Sequence, residues 1–317
     1  MRLLNVVRIA HIQPDPPSER WLIEKLWGWP AVGLIGGCPK SLKSWMALEM
    51  AVSVASGTAC LGRYAVHKRG PVLVYAAEDS TAAVRRRVNS IALARGIPLE
   101  SLPLGLIVEP VLRLNSQDDR MAIEATIEKV KPRLLVLDPL VRIHSADENS
   151  SAEMSELLGF LRQLQRKHQV AIILVHHMRK ASASQPGQAL RGSGDLHAWT
   201  DSALYLLKRR DELVMHIEHR ANATPSPFVI RLAPPPVHVE IARDLSDPTP
   251  APVAQGSQAI DERVLDLLGR EPATRTRIRE ALRIRNETLG ASLSRLEDDG
   301  HIVRANGAWA RVPAPPP

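Results

Sequence analysis

With 317 residues the chain is long enough for one full α/β domain and a small appendage, and 44% hydrophobic and 24% charged residues are ordinary for a soluble protein. No apolar run approaches the roughly 18 residues of a membrane span, and the N-terminus has neither a basic-then-apolar leader nor a small-residue cleavage site, so a cytoplasmic protein that uses no membrane is expected. The two cysteines, Cys38 and Cys60, exclude a disulfide scaffold and read as small buried or loop residues, while the net charge of +7 is compatible with a nucleic-acid partner without requiring one.

The predicted elements begin after a proline-containing lead-in, residues 1–30, that holds Trp21, Trp27 and Trp29. Core packing is the favoured role for these tryptophans over stacking on a base. Residues 31–35 are short, apolar and followed by Gly36-Gly37, as suits a buried strand running into a tight turn. Residues 44–56 then carry helical spacing, and Gly57 is a stop signal. Further strands are expected at 71–77, 104–108, 133–137 and 170–175, separated by helices at 82–94, 118–130 and 152–168. That alternation predicts a mostly parallel sheet with helices on both faces. Segments 202–207, 213–218 and 228–232 have no long helices between them and are expected as antiparallel additions at one edge.

Residues 246–258 are Pro-rich and polar and read as a linker between a core spanning 31–245 and a second domain at 259–312. In that domain three short helices (260–268, 275–282, 287–299) precede a two-stranded segment around Asn306-Gly307, which is the winged helix-turn-helix pattern. Residues 313–317 are expected to be a disordered tail.

Residues Gly37, Cys38, Pro39, Lys40, Ser41, Leu42, Lys43 and Ser44 nearly match G-x-x-x-x-G-K-[ST]. In such a loop, backbone N–H groups and the N-terminus of the next helix surround anionic phosphates. Lys43 is then placed for the β- and γ-phosphates of ATP and the Ser44 hydroxyl for Mg²⁺. Leu42 stands where glycine is usual, and Trp45 directly follows the loop and is expected to pack under the helix. Three strand ends supply further candidates. Glu78, beside Asp79, closes V-L-V-Y-A-A and is positioned to polarise an attacking water, the alternative being a solvated acid pair. Asp138 closes L-L-V-L and reads as a Walker B carboxylate serving Mg²⁺. His176-His177 closes I-I-L-V; a γ-phosphate sensor is favoured over zinc, because no Cys/His set stands at familiar spacing.

Taken together, the segments CPKSLKSW, VYAAED, LLVLDPLVRIHSADEN, ILVHHMRK, LRGSGDL and HRANATPSPF resemble the hexameric RecA-like helicases of the plasmid replication protein RepA family and relatives known only as AAA-type ATPases. The resemblance covers roughly residues 18–240. It implies a RecA-like sheet, catalysis by the acid at Glu78, and Mg²⁺ held at Asp138. It also implies a histidine, His177, that couples nucleotide state to DNA-facing loops. An arginine finger at Arg191 would reach the neighbouring subunit's γ-phosphate, with Arg220 as a second basic residue of that kind. A homo-oligomer, hexameric by that likeness, and single-stranded DNA in the channel follow as expectations, with Arg179 and Lys180 beside the loop 181–189 as backbone contacts.

Smaller features stay open. Arg85-Arg86-Arg87 reads first as a solvated helix face, and Asp147-Glu148-Asn149 as an acidic loop of the same family with no assigned role. Arg275, Arg277, Arg279, Arg283 and Arg285 make the second domain a candidate for duplex DNA, although its third helix ends in Glu297-Asp298-Asp299, which disfavours phosphate there, and winged helices also bind proteins. The expected function is an ATP-hydrolysing, helicase-like motor on DNA. The alternatives are a nucleotide-gated DNA-binding regulator with little turnover, or a repair or recombination ATPase that does not unwind.

Overall fold

The computed structural model describes residues 3–4, 6–13, 16–145, 151–178, 194–209, 211–245, 255–269, 271–282, 284, 286–305 and 308–312. They fall into two compact units, Met1–Asp247 and Pro248–Pro317. The expectations placed on Arg179, Lys180, Arg191, Arg283, Arg285, Asn306-Gly307, residues 147–149, 181–189 and 246–254 and the tail lie outside the described residues.

The first unit opens with a small antiparallel pair, β1 (Trp21–Ile23) and β2 (Trp27–Gly28), which the lead-in reading did not anticipate. Trp27 is fully buried, Trp29 lies under the Arg133 guanidinium and Trp21 meets the edge of His219, so all three tryptophans pack within the unit. Strand β3 (Val32–Gly37) leads through a loop into α1 (Lys43–Ser56). Then follow β4 (Val72–Ala76), α2 (Thr81–Ala94), β5 (Leu104–Ile107), α3 (Gln117–Val130), β6 (Leu134–Asp138), α4 (Ser151–His168) and β7 (Ala171–His177). A short helix, α5 (Gly194–Trp199), precedes β8 (Ser202–Arg209), β9 (Glu212–His219), β10 (Phe228–Leu232) and β11 (Val239–Asp244).

The nine-stranded sheet has the order β11-β10-β9-β8-β3-β7-β6-β4-β5. The five strands from β3 to β5 run parallel, and β8 joins them: it pairs in parallel with β3, Gly33 opposite Ser202. This corrects the expectation that segments 202–207, 213–218 and 228–232 are all antiparallel additions. The chain crosses from β7 over to the far side of β3 before β8 begins, which returns it in the same direction, and only β9, β10 and β11 are antiparallel. Helices α1 and α2 pack on one face and α3, α4 and α5 on the other.

Local chemistry explains the element ends. Ser80 caps α2 by accepting from the Ala83 N–H at 3.2 Å. Gly57 closes α1 at φ 82°, its N–H donating to Ser53 O at 2.7 Å. The N-terminal side of α1 is less relaxed: Leu42 sits at φ 62°, ψ 17°, a left-handed conformation that glycine adopts freely and leucine does not. Helices α1 and α2 are joined by a buried ion pair. Arg95, just past α2, donates to the Glu49 carboxylate, to Ser53 Oγ at 2.9 Å and to Thr58 Oγ1 at 2.8 Å, with Glu49 only 2% exposed at its side chain.

The second unit contains α6 (Gln255–Leu268), α7 (Arg275–Leu282), α8 (Asn286–Asp298), β12 (Ile302–Ala305) and β13 (Ala308–Arg311). Helix α6 begins five residues before the expected start at 260, so 255–258 are its first turn rather than linker. Val264, Leu268, Ile278, Leu289, Leu293, Leu296, Ile302 and Trp309 make a core of its own. Trp309 and Ala273 exchange both backbone hydrogen bonds at 2.9 Å, tying the hairpin to the start of α7.

Two stability measurements follow. At Leu42, the Gly variant is expected to be more stable than the Ala variant by about 1 kcal/mol in urea unfolding, the reverse of the order at an ordinary helix position. Arg95→Ala strands the Glu49 carboxylate in the interior and is expected to cost about 3–5 kcal/mol, whereas Glu49→Met combined with Arg95→Met recovers most of that loss.

Candidate active site

Pleating decides which strand-end side chains share a face. Along β6, Leu134 and Val136 belong to the core under α1 and α2, and Leu135 and Leu137 to the opposite core. Asp138 follows the parity of Leu134 and Val136 and turns to the α1 side. The same count along β7 puts Ala171, Ile173 and Val175 on the α1 side, so His177 follows them while His176 is buried at 2% exposure in the other direction. In β4, Val72, Val74 and Ala76 set the parity that leads to Glu78. Gly37 pairs with His177 and Ala76 with Asp138, so three carboxyl-terminal strand ends converge beside the loop after β3.

They enclose a cleft of about 340 Å³ lined by Lys40, Ser41, Leu42, Lys43, Ser44, Trp45, Ala76, Glu78, Asp79, Arg87, Asp138 and His177. Gly37, Cys38 and Pro39 form the exit from β3. A Cβ at Gly37 would stand 2.4 Å from Ser41 Oγ and 2.8 Å from Leu206 O, so the tight turn excludes any side chain there. Lys43 is buried, and its Nζ donates to the Cys38 carbonyl at 2.8 Å, folding the ammonium across the mouth of the loop.

Burial lowers the Lys43 pKa from its ordinary value, an effect opposed by the charges of Asp138, Cys38 and Glu78. Burial likewise pushes Asp138 up to about 6; a hydrogen bond from Ser44 opposes the rise and the neighbouring Asp79 adds to it. A hydroxyl and a carboxylate already joined to one another beside a buried ammonium are the hard-oxygen set that suits Mg²⁺. The loop, Lys43 and the N-terminus of α1 suit the phosphates of a nucleotide. The residues present therefore fit the group that the motif implies.

Asp79 makes two hydrogen bonds to Arg87, at 2.5 and 3.0 Å, and the Arg87 guanidinium lies 5.6 Å from the centre of the Trp45 ring. Arg87 thus belongs to the cleft, where the triple-arginine segment read as a solvated helix face; its signal is its place on the second turn of a helix that starts directly after the acid pair. Glu78 is half exposed and accepts from Arg142 Nε at 2.9 Å. Arg142, inside the segment LLVLDPLVRIHSADEN, was not singled out from the sequence.

Arg220 is not brought into this cleft. It follows β9, its N–H donates to the Asp201 carbonyl at 2.9 Å, and it sits level with the start of β3, at the other end of the sheet from the loop. Its guanidinium bonds the Ala198 carbonyl and lies 3.4 Å from Asp201 Oδ1. Among the described residues, the one group with metal-ligand geometry is Glu124, Glu128 and His168, remote in sequence from the loop, and Lys167 Nζ lies 2.8 Å from Glu124 and 3.5 Å from Glu128.

The fold is similar to that of solved RecA-like ATPases. The RadB recombinase is 19% identical, with a TM-score of 0.50, over 68% of this chain and 92% of that one. A helicase ATPase domain is 15% identical, with a TM-score of 0.50, over 64% of this chain and 81% of that one. At these identities the likeness concerns the fold. A family model described as the AAA domain matches residues 1–183, more than half of the 317. The chain belongs to the AAA domain family and carries its phosphate-binding loop on a RecA-like P-loop ATPase fold.

Proposed function

We propose that the chain is an ATP-hydrolysing motor of the helicase type, acting on DNA as a ring or filament of identical subunits. The observation that carries this reading is the convergence of Lys43, Ser44, Asp138, Glu78 and His177 on one cleft from four parallel strand ends. Lys43 and the loop amides hold the β- and γ-phosphates, and Ser44 and Asp138 hold Mg²⁺, which when bound neutralises phosphate charge and fixes the phosphate oxygens. Glu78 orients water and accepts its proton. His177, at the end of β7, meets the γ-phosphate side and passes its state to the segment that follows. The finding that Leu42 takes the left-handed conformation a glycine would take supports a competent loop despite the departure from the motif.

Completion of the site by a neighbour would fall to Arg191. At Arg220 the same role requires exchanging the Ala198 and Asp201 contacts for a neighbour's phosphate. The second unit, with three helices followed by a hairpin, is proposed to be a winged helix for duplex DNA. Its presence favours a second reading, in which ATP sets the oligomeric state of a DNA-binding regulator and turnover is negligible. The decisive experiment is steady-state ATP hydrolysis across protein concentration, with and without single-stranded DNA. The motor reading requires turnover that rises with both; nucleotide binding with no turnover under any of these conditions would favour the regulator.

Lys43→Ala is expected to lower kcat at least about 10²-fold and Glu78→Gln about 10²–10⁴-fold, with the Glu78 variant retaining nucleotide affinity in a fluorescent-nucleotide titration. Arg191→Ala is expected to lose about 10³-fold or more and to be rescued by mixing with Lys43→Ala subunits, since each supplies what the other lacks.

Asp138 gives a pH test. Its folded pKa of about 6 stands above the ordinary 3.8, so in the ion-free protein its contribution to stability is fullest below about pH 4 and is lost as pH rises through about 6. Asp138→Asn removes that penalty. Relative to wild type, its thermal stability without Mg²⁺ is expected to improve across this window by an amount of the order of 2–3 kcal/mol, while stabilisation by Mg²⁺ and ATP disappears.

A further inference from the structure

Glu78 stands on the wall between two cavities. One is the nucleotide cleft; the other, of about 350 Å³, is lined by Tyr75, Pro110, Arg113 and Arg142 among others. Strand β4 separates them: Ala76 faces the first, Tyr75 and Ala77 the second, and Glu78, just beyond the strand end, contributes to both. The carboxylate is drawn towards the second cavity by Arg142, whose Nε donates to Glu78 Oε1 at 2.9 Å.

Arg142 ends a short turn, Leu140–Arg142, that follows Asp138. Leu140 and Ile143 are both fully buried, so the backbone of the turn is anchored, yet the Arg142 side chain is 58% exposed. Arg113 is fixed beside it. Its N–H donates to Asp119 Oδ2 at 2.6 Å, and its guanidinium donates to the Arg142 carbonyl. An exposed arginine–carboxylate pair adds little to stability and is readily exchanged for another anion. Two guanidinium groups lining one cavity match the geometry and charge of a phosphate, which accepts from their planar forks in pairs. Were Glu78 to swing into the nucleotide cleft, Arg113 and Arg142 would be left as neighbouring cations, a repulsion that a bound phosphate relieves.

We propose that Arg142 is a positioning residue that holds Glu78 away from the attacking water, and that a phosphate-class anion taken up by Arg113 and Arg142 releases it. The inference rests on the reading of Glu78 as the group that orients water. It gives hydrolysis a trigger within the subunit, distinct from completion of the site by a neighbour.

The test is ATP turnover by the full chain for wild type, Arg142→Gln, Arg142→Lys and Glu78→Gln, alone, with a single-stranded oligonucleotide, and with inorganic phosphate. The oligonucleotide is expected to raise wild-type kcat several-fold at unchanged KM for ATP. Arg142→Gln is expected to show that raised kcat unaided and to respond no further, and Arg142→Lys to regain the response. Stimulation by the oligonucleotide but not by the same concentration of inorganic phosphate assigns the anion to a nucleic-acid backbone; stimulation by both assigns it to free phosphate. If Glu78→Gln abolishes turnover but Arg142→Gln matches wild type with and without the oligonucleotide, the latch is overturned and the catalytic reading survives. If Arg142→Gln is activated but neither anion stimulates wild type, release by an anion is overturned. Turnover unaffected by Glu78→Gln, or absent from every protein that still binds nucleotide, overturns both.

Discussion

Strand β3 is held between two parallel neighbours, β7 and β8, and the close approach on the β8 side is possible because glycine occupies two of its positions. A Cβ at Gly33 would fall 1.7 Å from the Ser202 carbonyl oxygen, and one at Gly37 would meet both Ser41 and Leu206. Asp201 reinforces the junction: its Oδ2 accepts from the Val32 N–H at 3.1 Å, and Arg162 and Arg220 both pair with it. Because β3 runs straight into the phosphate-binding loop, its register against β7 fixes where that loop stands relative to His177. The further pairings β7–β6 and β6–β4 then carry the alignment to Asp138 and Glu78. The chemistry of the cleft is therefore an outcome of sheet register more than of any contact among the catalytic groups themselves.

Within the cleft, burial works against both signs of charge. Lys43 and Asp138 are each penalised for being ionised and each partly relieved by the other. Asp79 and Arg87 form a second pair nearby, and Glu78 and Arg142 a third at the rim. The interior pair is strained by its own surroundings, while the rim pair is wet and loosely held. This gradient suits a site that must bind a highly charged ligand tightly at one end and move a single carboxylate at the other.

Much of this was legible from the amino-acid order, because parallel strands buried on both faces leave continuous apolar runs, and such runs end where a polar residue must face the crevice. Glu78, Asp138 and His177 each terminate a run of that kind, and the glycines and Lys43-Ser44 mark the loop by spacing alone. The segments that escaped notice are short or two-faced. Strands β1 and β2 have three and two residues, and α5 has six, too few to establish a period. The direction of β8 depends on which side of β3 the chain crosses to, which no local pattern records. Arg87 and Arg142 join the cleft and its rim through tertiary proximity to Asp79 and Glu78, and as single arginines on a helix and a turn they look like ordinary solvated residues.

The buried Glu49–Arg95 pair also bears on the two thiols. Cys60 lies in the same interior region, and burial, with the Glu49 charge adding, pushes its thiol up to about 12. It is thus a poor nucleophile at neutral pH and shielded from reagents in the folded chain. Cys38, by contrast, is only partly buried and lies in the phosphate-binding loop itself. The wild-type sequence therefore carries a natural single-site handle: a fluorophore or spin label directed to cysteine would attach beside the phosphates without any residue having to be replaced elsewhere.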